Sequence, residues 1–254
     1  NLAAVIIAIS GAGAMALYFR EFVLTASLFA ALALTGGLTW RRLRWLSRAE
    51  WIGIIREGRG IWLDGVLEGS YQRIAILLAG FVGGDRGAGF FFQAYRLAIL
   101  PNQLLSPLVA RIAVNMFGRE NRPDHRRQLR NRQLLLLAPL LALATVLAIL
   151  FAVPAVTLIF GATWAKSADL LITFAGVIMF MSLFEILKSY CFVTGSMKAL
   201  VMGRAAQYLM LGAVPFLVGI GLVADKTTAL AIGISMGWAA AFLLVMCVLL
   251  RNRA

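Results

Sequence analysis

Between Ile61 and Asn115 a strongly apolar stretch carries Asp64, Glu68, Gln72, Arg73, Gln93, Arg96 and Arg111. An ionised side chain near the centre of a bilayer costs roughly 2.5 to 3.5 kcal/mol on insertion scales, so such groups normally face a bundle interior or a water-filled path. Arg73 and Arg96 lie too deep to reach water easily. Their planar, permanently charged guanidinium groups pair bidentately with phosphate or carboxylate, which makes them candidates for binding an anionic ligand. Gln72 and Gln93 are their polar neighbours. Asp64, Glu68, Tyr71 and Gln72 fall at i, i+4, i+7 and i+8, giving one polar helix face over more than two turns. Asp64 and Glu68, together with Glu185 and Lys188 farther along, are candidates for ion coupling or for lining the same cavity. The competing reading is an internal salt bridge joining the arginines to Asp64 or Glu68. Glu185 and Lys188 are i,i+3 neighbours and could neutralise one another. Arg111 and Arg204 lie nearer the ends of their blocks, where snorkelling to the interface is the default.

The elements that position these residues are set by composition. The chain is 61% hydrophobic and 14% charged, with a mean hydropathy of +0.87. Its apolar residues come in blocks of the length that crosses a hydrocarbon layer of roughly 30 Å. The reading is an all-α integral membrane protein of about eight transmembrane helices: 2–18, 22–40, 61–82, 88–117, 133–160, 167–193, 199–223 and 227–250. A formal charge of +13 could suggest nucleic acid, but the cations gather at block ends, as topology signals do. Loops 41–60 and 119–132, with Lys198, Arg251 and Arg253, hold 15 of the 24 Lys and Arg residues, against Arg20, Arg86, Lys166 and Lys226 on the opposite side. That asymmetry predicts a cytoplasmic C-terminus.

Ser47 and Glu50 have the spacing of a capping box opening a short interfacial helix over 47–60. Prolines 101, 107, 139, 154 and 215 fall inside spans, and Gly233 with Gly237 forms a GxxxG suited to close intramolecular helix contact. Cys191 and Cys247 read as packing residues, and His125 stands alone in a basic loop, so no metal site and no cofactor are expected. No P-loop, GxSxG or His-x-x-His is present and the predicted outer loops are short, so the chain is read as a transporter and not an enzyme. The first block lacks a basic n-region and a cleavage site, and the chain reads as starting at or inside a helix.

The run from Gly87 to Pro101, GAGFFFQAYRLAILP, resembles the polysaccharide transporter (O-antigen and exopolysaccharide flippase) family of the multidrug, oligosaccharidyl-lipid and polysaccharide exporter superfamily. Pro107, the Phe160–Trp164 turn and the Thr194–Lys198 turn match that family in order and spacing. The resemblance implies a fold of twelve helices in two lobes, of which this chain looks like the C-terminal two-thirds. Residues 1–46 would be the last two helices of the N-terminal lobe, 47–60 a cytoplasmic linker helix, and 61–254 a six-helix C-terminal lobe. It further implies a flippase of the bacterial inner membrane that moves a lipid-linked oligosaccharide, an undecaprenyl-pyrophosphate repeat unit, for O-antigen, capsule or exopolysaccharide synthesis. Membrane lipid, a polymerase and glycosyltransferases would be its partners. Family members often carry Asp-Arg where this chain has Gln72-Arg73, which puts coupling through that position in doubt. The alternatives are a drug or cation antiporter of the same superfamily and a membrane scaffold that transports nothing.

Overall fold

The computed structural model describes residues 22–23, 25–27, 29–31, 33–35, 47–213 and 225–251. Contacts divide the chain into two compact units, Asn1–Arg56 and Glu57–Ala254. Every element among the described residues is helical, and four helical stretches are long and apolar enough to cross a membrane: Gly58–Arg119, Pro123–Phe160, Ala175–Thr194 and Lys226–Arg251. The expected span 2–18 lies outside the described residues, as does Pro215. Of the span 22–40 the described residues between 22 and 34 are helical.

Helix α1, Arg48–Arg119, opens on the expected capping box: the Ser47 amide donates to Glu50 Oε2 at 2.8 Å and the Glu50 amide to Ser47 Oγ at 3.3 Å. No loop follows at residue 60: helical backbone continues through it into the apolar stretch. Sixty-two residues of unbroken helix would reach about 93 Å, some three times a hydrocarbon layer. The chain avoids this at Gly84, whose φ of 60° and ψ of −173° interrupt α1 and divide it into two arms. Glu68 and Gln72 of the first arm share a cavity with Asn102 and Ser106 of the second, so the arms lie antiparallel. Only glycine takes that φ and ψ without a steric cost.

After α1 the chain turns at Glu120–Arg122 and enters α2, Pro123–Phe160, with proline in the first turn, where its missing N–H is harmless. Arg126 reaches back to donate to the carbonyls of Phe117, at 3.0 Å, and Glu120, satisfying the end of α1. Gly161, at φ 92°, and a 3₁₀ turn over Ala162–Trp164 lead to α3, Ala165–Thr173. Helix α4, Ala175–Thr194, ends on Gly195 at φ 70°, and the amides of Gly195 and Ser196 both donate to the Cys191 carbonyl. Helices α5, Met197–Gly212, and α6, Lys226–Arg251, complete the described chain.

The expected span 167–193 is therefore two helices broken at Phe174. No proline marks the break, and the nearby glycine, Gly176, is itself helical and lies against Ser235, whose Cβ a side chain there would meet at 3.0 Å. Phe174 is fully buried, edge-on to Phe91 and Tyr95, and Ser235 Oγ of α6 donates to the Thr173 carbonyl at 2.7 Å. Packing from two other helices holds an irregularity that local sequence does not request. Prolines 101, 107, 139 and 154 all stay inside continuous helix.

Burial separates lipid-facing from central helices. Within its most apolar window α2 is 6% buried, whereas α4 is 67% buried, so the former presents its apolar surface outward and the latter fills the middle. Helices α5 and α6 approach through glycines, as membrane helices do when van der Waals contact replaces the hydrophobic drive. A Cβ on Gly203 would lie 2.6 Å from Val245 Cγ2, and one on Gly237 would lie 3.4 Å from the Gln207 backbone. Gly237 thus makes the intramolecular contact its GxxxG predicts.

Candidate functional site

Helix periodicity sets Asp64, Glu68, Tyr71, Ala75 and Ala79 on one face of the first arm of α1, and that face turns to α5 and α6. The first arm and α5 run parallel. Gly60 lies beside Met197, Asp64 beside Arg204 and Leu67 beside Tyr208, whose hydroxyl donates to the Leu67 carbonyl at 2.8 Å. Helix α4 brings Glu185 and Lys188 to the same level.

These residues form one network around Arg204, which is fully buried. Its Nε donates to Asp64 Oδ1 at 2.7 Å and its Nη2 to Asp64 Oδ2 at 3.3 Å, a forked pairing. Nη2 also meets Glu68 Oε2 at 2.6 Å, and Nη1 meets Gln207 Oε1 at 3.2 Å. The same Glu68 oxygen accepts from Lys188 Nζ at 2.9 Å, and Lys188 reaches Glu185 Oε1 at 3.0 Å. Phe184 and Trp238 cover the guanidinium, with ring centroids 4.9 and 5.6 Å away. Three carboxylates therefore face two cations. With all five ionised the cluster carries a formal charge of −1.

Arg204 corrects the snorkelling reading. It turns inward because a buried carboxylate, Asp64, and a half-buried one, Glu68, require a cation more than its own charge requires water. A signal existed in the sequence: acids at i and i+4 in hydrocarbon need partners. Helix pairing, which the sequence did not disclose, was needed to say which cation answers them.

Glu68, at the edge of that face, and Gln72 open to a cavity of about 380 Å³ shared with Asn102, Gln103, Ser106 and Met181. Asn102 Oδ1, on its lining, is buried without a hydrogen-bond partner among the described residues. This part of the interior has polar capacity to spare.

Arg73 and Arg96 are not drawn into the network. Both are exposed, on faces turned away from the buried runs Tyr71, Ala75, Ala79 and Phe91, Ala94, Tyr95, Ala98. Neither has an ion-pair or hydrogen-bond partner among the described residues. Gln93 is half-buried beside Arg96, and Arg111 is exposed, as a snorkelling side chain would be. The Gly87–Pro101 run divides accordingly: Phe91, Ala94, Tyr95 and Ala98 pack the core, and Phe92 and Arg96 face out.

The two ends of the bundle differ in charge. One end gathers the Gly84 break, the Gly161 turn and the start of α6, tied by a Lys166 Nζ to Asp225 Oδ2 contact of 3.5 Å and by Ser167 Oγ donating to the Phe90 carbonyl at 3.1 Å. Asp225 caps α6: burial alone would raise its pKa, but the Thr227 and Thr228 hydroxyls, the Thr227 amide and Lys166 together hold it below the usual carboxylate range. The opposite end carries Arg59, Arg119, Arg122, Arg126, Arg127, Arg132, Lys198 and Arg251. There the Arg122 amide, donating to Glu120 Oε1 at 2.9 Å, lowers the Glu120 pKa, with His125 Nδ1 3.6 Å away adding to the effect.

Comparison with known families gives one match. Residues 1–169 match the model of a polysaccharide biosynthesis protein family, about two thirds of the chain. The chain belongs to this family. The polysaccharide-transporter resemblance read from Gly87–Pro101 is borne out at that level, and the apolar helices make this member an integral membrane protein. No curated protein sequence and no solved structure matches the chain. The family match takes in Asp64, Glu68, Arg73 and Arg96 and stops short of Glu185, Lys188 and Arg204, so the charge network joins matched and unmatched parts of the sequence.

Proposed function

We propose that this protein is a non-enzymatic transporter that flips a lipid-linked oligosaccharide, an undecaprenyl-pyrophosphate repeat unit, across the bacterial inner membrane for O-antigen, capsule or exopolysaccharide synthesis. One observation carries the reading. Asp64 and Glu68 spend their charge on Arg204 and Lys188, which leaves Arg73 and Arg96, among the described residues, free of the internal salt bridges that would otherwise explain them. Two uncommitted guanidinium groups in an apolar region suit a pyrophosphate whose lipid tail stays in the bilayer. On this reading the chain contributes about eight helices of a twelve-helix, two-lobed fold, with residues 1–46 belonging to the first lobe and 61–254 forming the second. The cation-rich end is cytoplasmic, as is the C-terminus, by the positive-inside rule. A polymerase and glycosyltransferases supply and consume the transported unit.

The test is Arg96→Ala and Arg73→Ala in the full-length protein, with surface polysaccharide measured against protein level in the membrane. Export should fall at least tenfold in each variant. Unchanged export at normal protein level removes that arginine from the mechanism.

The cavity beside Glu68 favours a second reading, a drug or cation antiporter, because its charged wall residue is an acid. Resistance to cationic drugs conferred on a sensitive host, without rescue of a polysaccharide-export mutant, would decide for it.

A further inference from the structure

We propose that the cleft between the first arm of α1 and the start of α5 binds an anionic phospholipid of the surrounding bilayer. This inference rests on the chain being integral to a membrane and on no choice of transported molecule. The cleft has a volume of about 610 Å³, within the range of ligand pockets. Its walls are the apolar side chains of Trp62, Leu63, Val201 and Met202, and the charged groups on its lining are Arg59 and Lys198. Glycine at position 60 lets the two helices approach beside it: a Cβ there would lie 2.7 Å from Met197 Cγ.

The two cations stand at one level because the helices run parallel, Arg59 where the apolar stretch of α1 begins and Lys198 in the first turn of α5. Both are exposed and neither has a carboxylate partner among the described residues. The N-terminal end of α5 adds the positive pole of its macrodipole. Trp62 is 69% exposed in the cleft wall, an amphipathic ring of the kind that settles at headgroup depth. A small soluble anion would leave the apolar walls unused, and a neutral lipid would leave both cations unanswered. An acyl chain against Trp62 and Met202, with a phosphate between Arg59 and Lys198, uses both.

The experiment reads the fluorescence of Trp62, taken as the difference between wild type and Trp62→Phe, in the full chain reconstituted into phosphatidylcholine nanodiscs. Phosphatidylglycerol with brominated acyl chains is titrated in and compared with brominated phosphatidylcholine. Half-quenching should need at least fivefold less phosphatidylglycerol than phosphatidylcholine, and the preference should vanish in Arg59→Gln/Lys198→Gln. High salt on the wild type is an independent arm that needs no variant to fold, and it should weaken the preference similarly. Equal quenching by the two lipids would overturn the proposal. So would a preference that survives both the double variant and high salt, or a co-purifying protein that shields Trp62 from both lipids.

Discussion

Replacing Arg204 with Met tests the network at its centre. Methionine fills much of the same volume beside Phe184 and Trp238 but removes the forked contact to Asp64, the contact to Glu68 and the hydrogen bond to Gln207. Lys188, in contact with Glu68 and Glu185, is then the cluster's sole cation, and Asp64, only 2% exposed, loses its cationic partner. Breaking a buried pair by deleting one member costs about 3 to 5 kcal/mol, set against a total stability of about 5 to 15 kcal/mol for a typical domain. Interhelical polar contacts measured in membranes average less, about 0.6 kcal/mol, but those are single neutral hydrogen bonds and not a charge left behind. The larger figure should govern. Thermal or denaturant unfolding of the purified protein in detergent, followed by fluorescence-detected size exclusion, would read the loss. Adding Asp64→Asn removes the stranded charge, so the double variant should recover at least about 2 kcal/mol of what the single variant loses. An Arg204→Met protein as stable as wild type would refute the reasoning. Recovery that fails to appear in the double variant would do the same.

Two further outcomes follow from the geometry. Gly203→Val should cost about 1 to 3 kcal/mol by forcing α5 from α6, and Val245→Ala should restore part of it, because the clash is with Val245 Cγ2 at 2.6 Å; unfolding midpoints of the single and double variants would show this. Asp225→Asn leaves a capping side chain in place but removes the charge, so at neutral pH it should cost about 0.3 to 1 kcal/mol through the α6 dipole and the Lys166 contact. Because the folded-state pKa of Asp225 is lowered, its contribution is complete above the unfolded value of about 3.9 and fades as pH falls through the folded value, so wild type should approach the variant in acid; hydrogen exchange at the start of α6 between pH 3 and 7 would check the sign.

Much of this architecture could be read from residues in order. The capping box at Ser47 and Glu50, the close contact of Gly237 and the pairing of Glu185 with Lys188 are local or periodic features, and each is present. The break at Phe174 is marked locally by nothing more than Gly176 two residues on, because the neighbours that stabilise it, Phe91, Tyr95 and Ser235, come from other helices. Arg204 went unrecognised for the same reason. Its distance from a block end suggested snorkelling, and only the parallel packing of α5 on α1 shows that Asp64 and Glu68 lie within its reach.

The sequence by itself determined that the protein is helical and membrane-integral, since long apolar blocks in hydrocarbon must satisfy their own backbone hydrogen bonds. It also determined which polar residues needed an account, because each ionised group in such a block carries a cost that something must offset. The tertiary structure decided how that cost is met. Helix pairing sets Asp64, Glu68 and Glu185 against Arg204 and Lys188, and leaves Arg73 and Arg96 on outward faces. Charge type is a property of residues one at a time, whereas partnership depends on which faces meet, and Asp64 and Glu68 find their partners more than a hundred residues away in sequence.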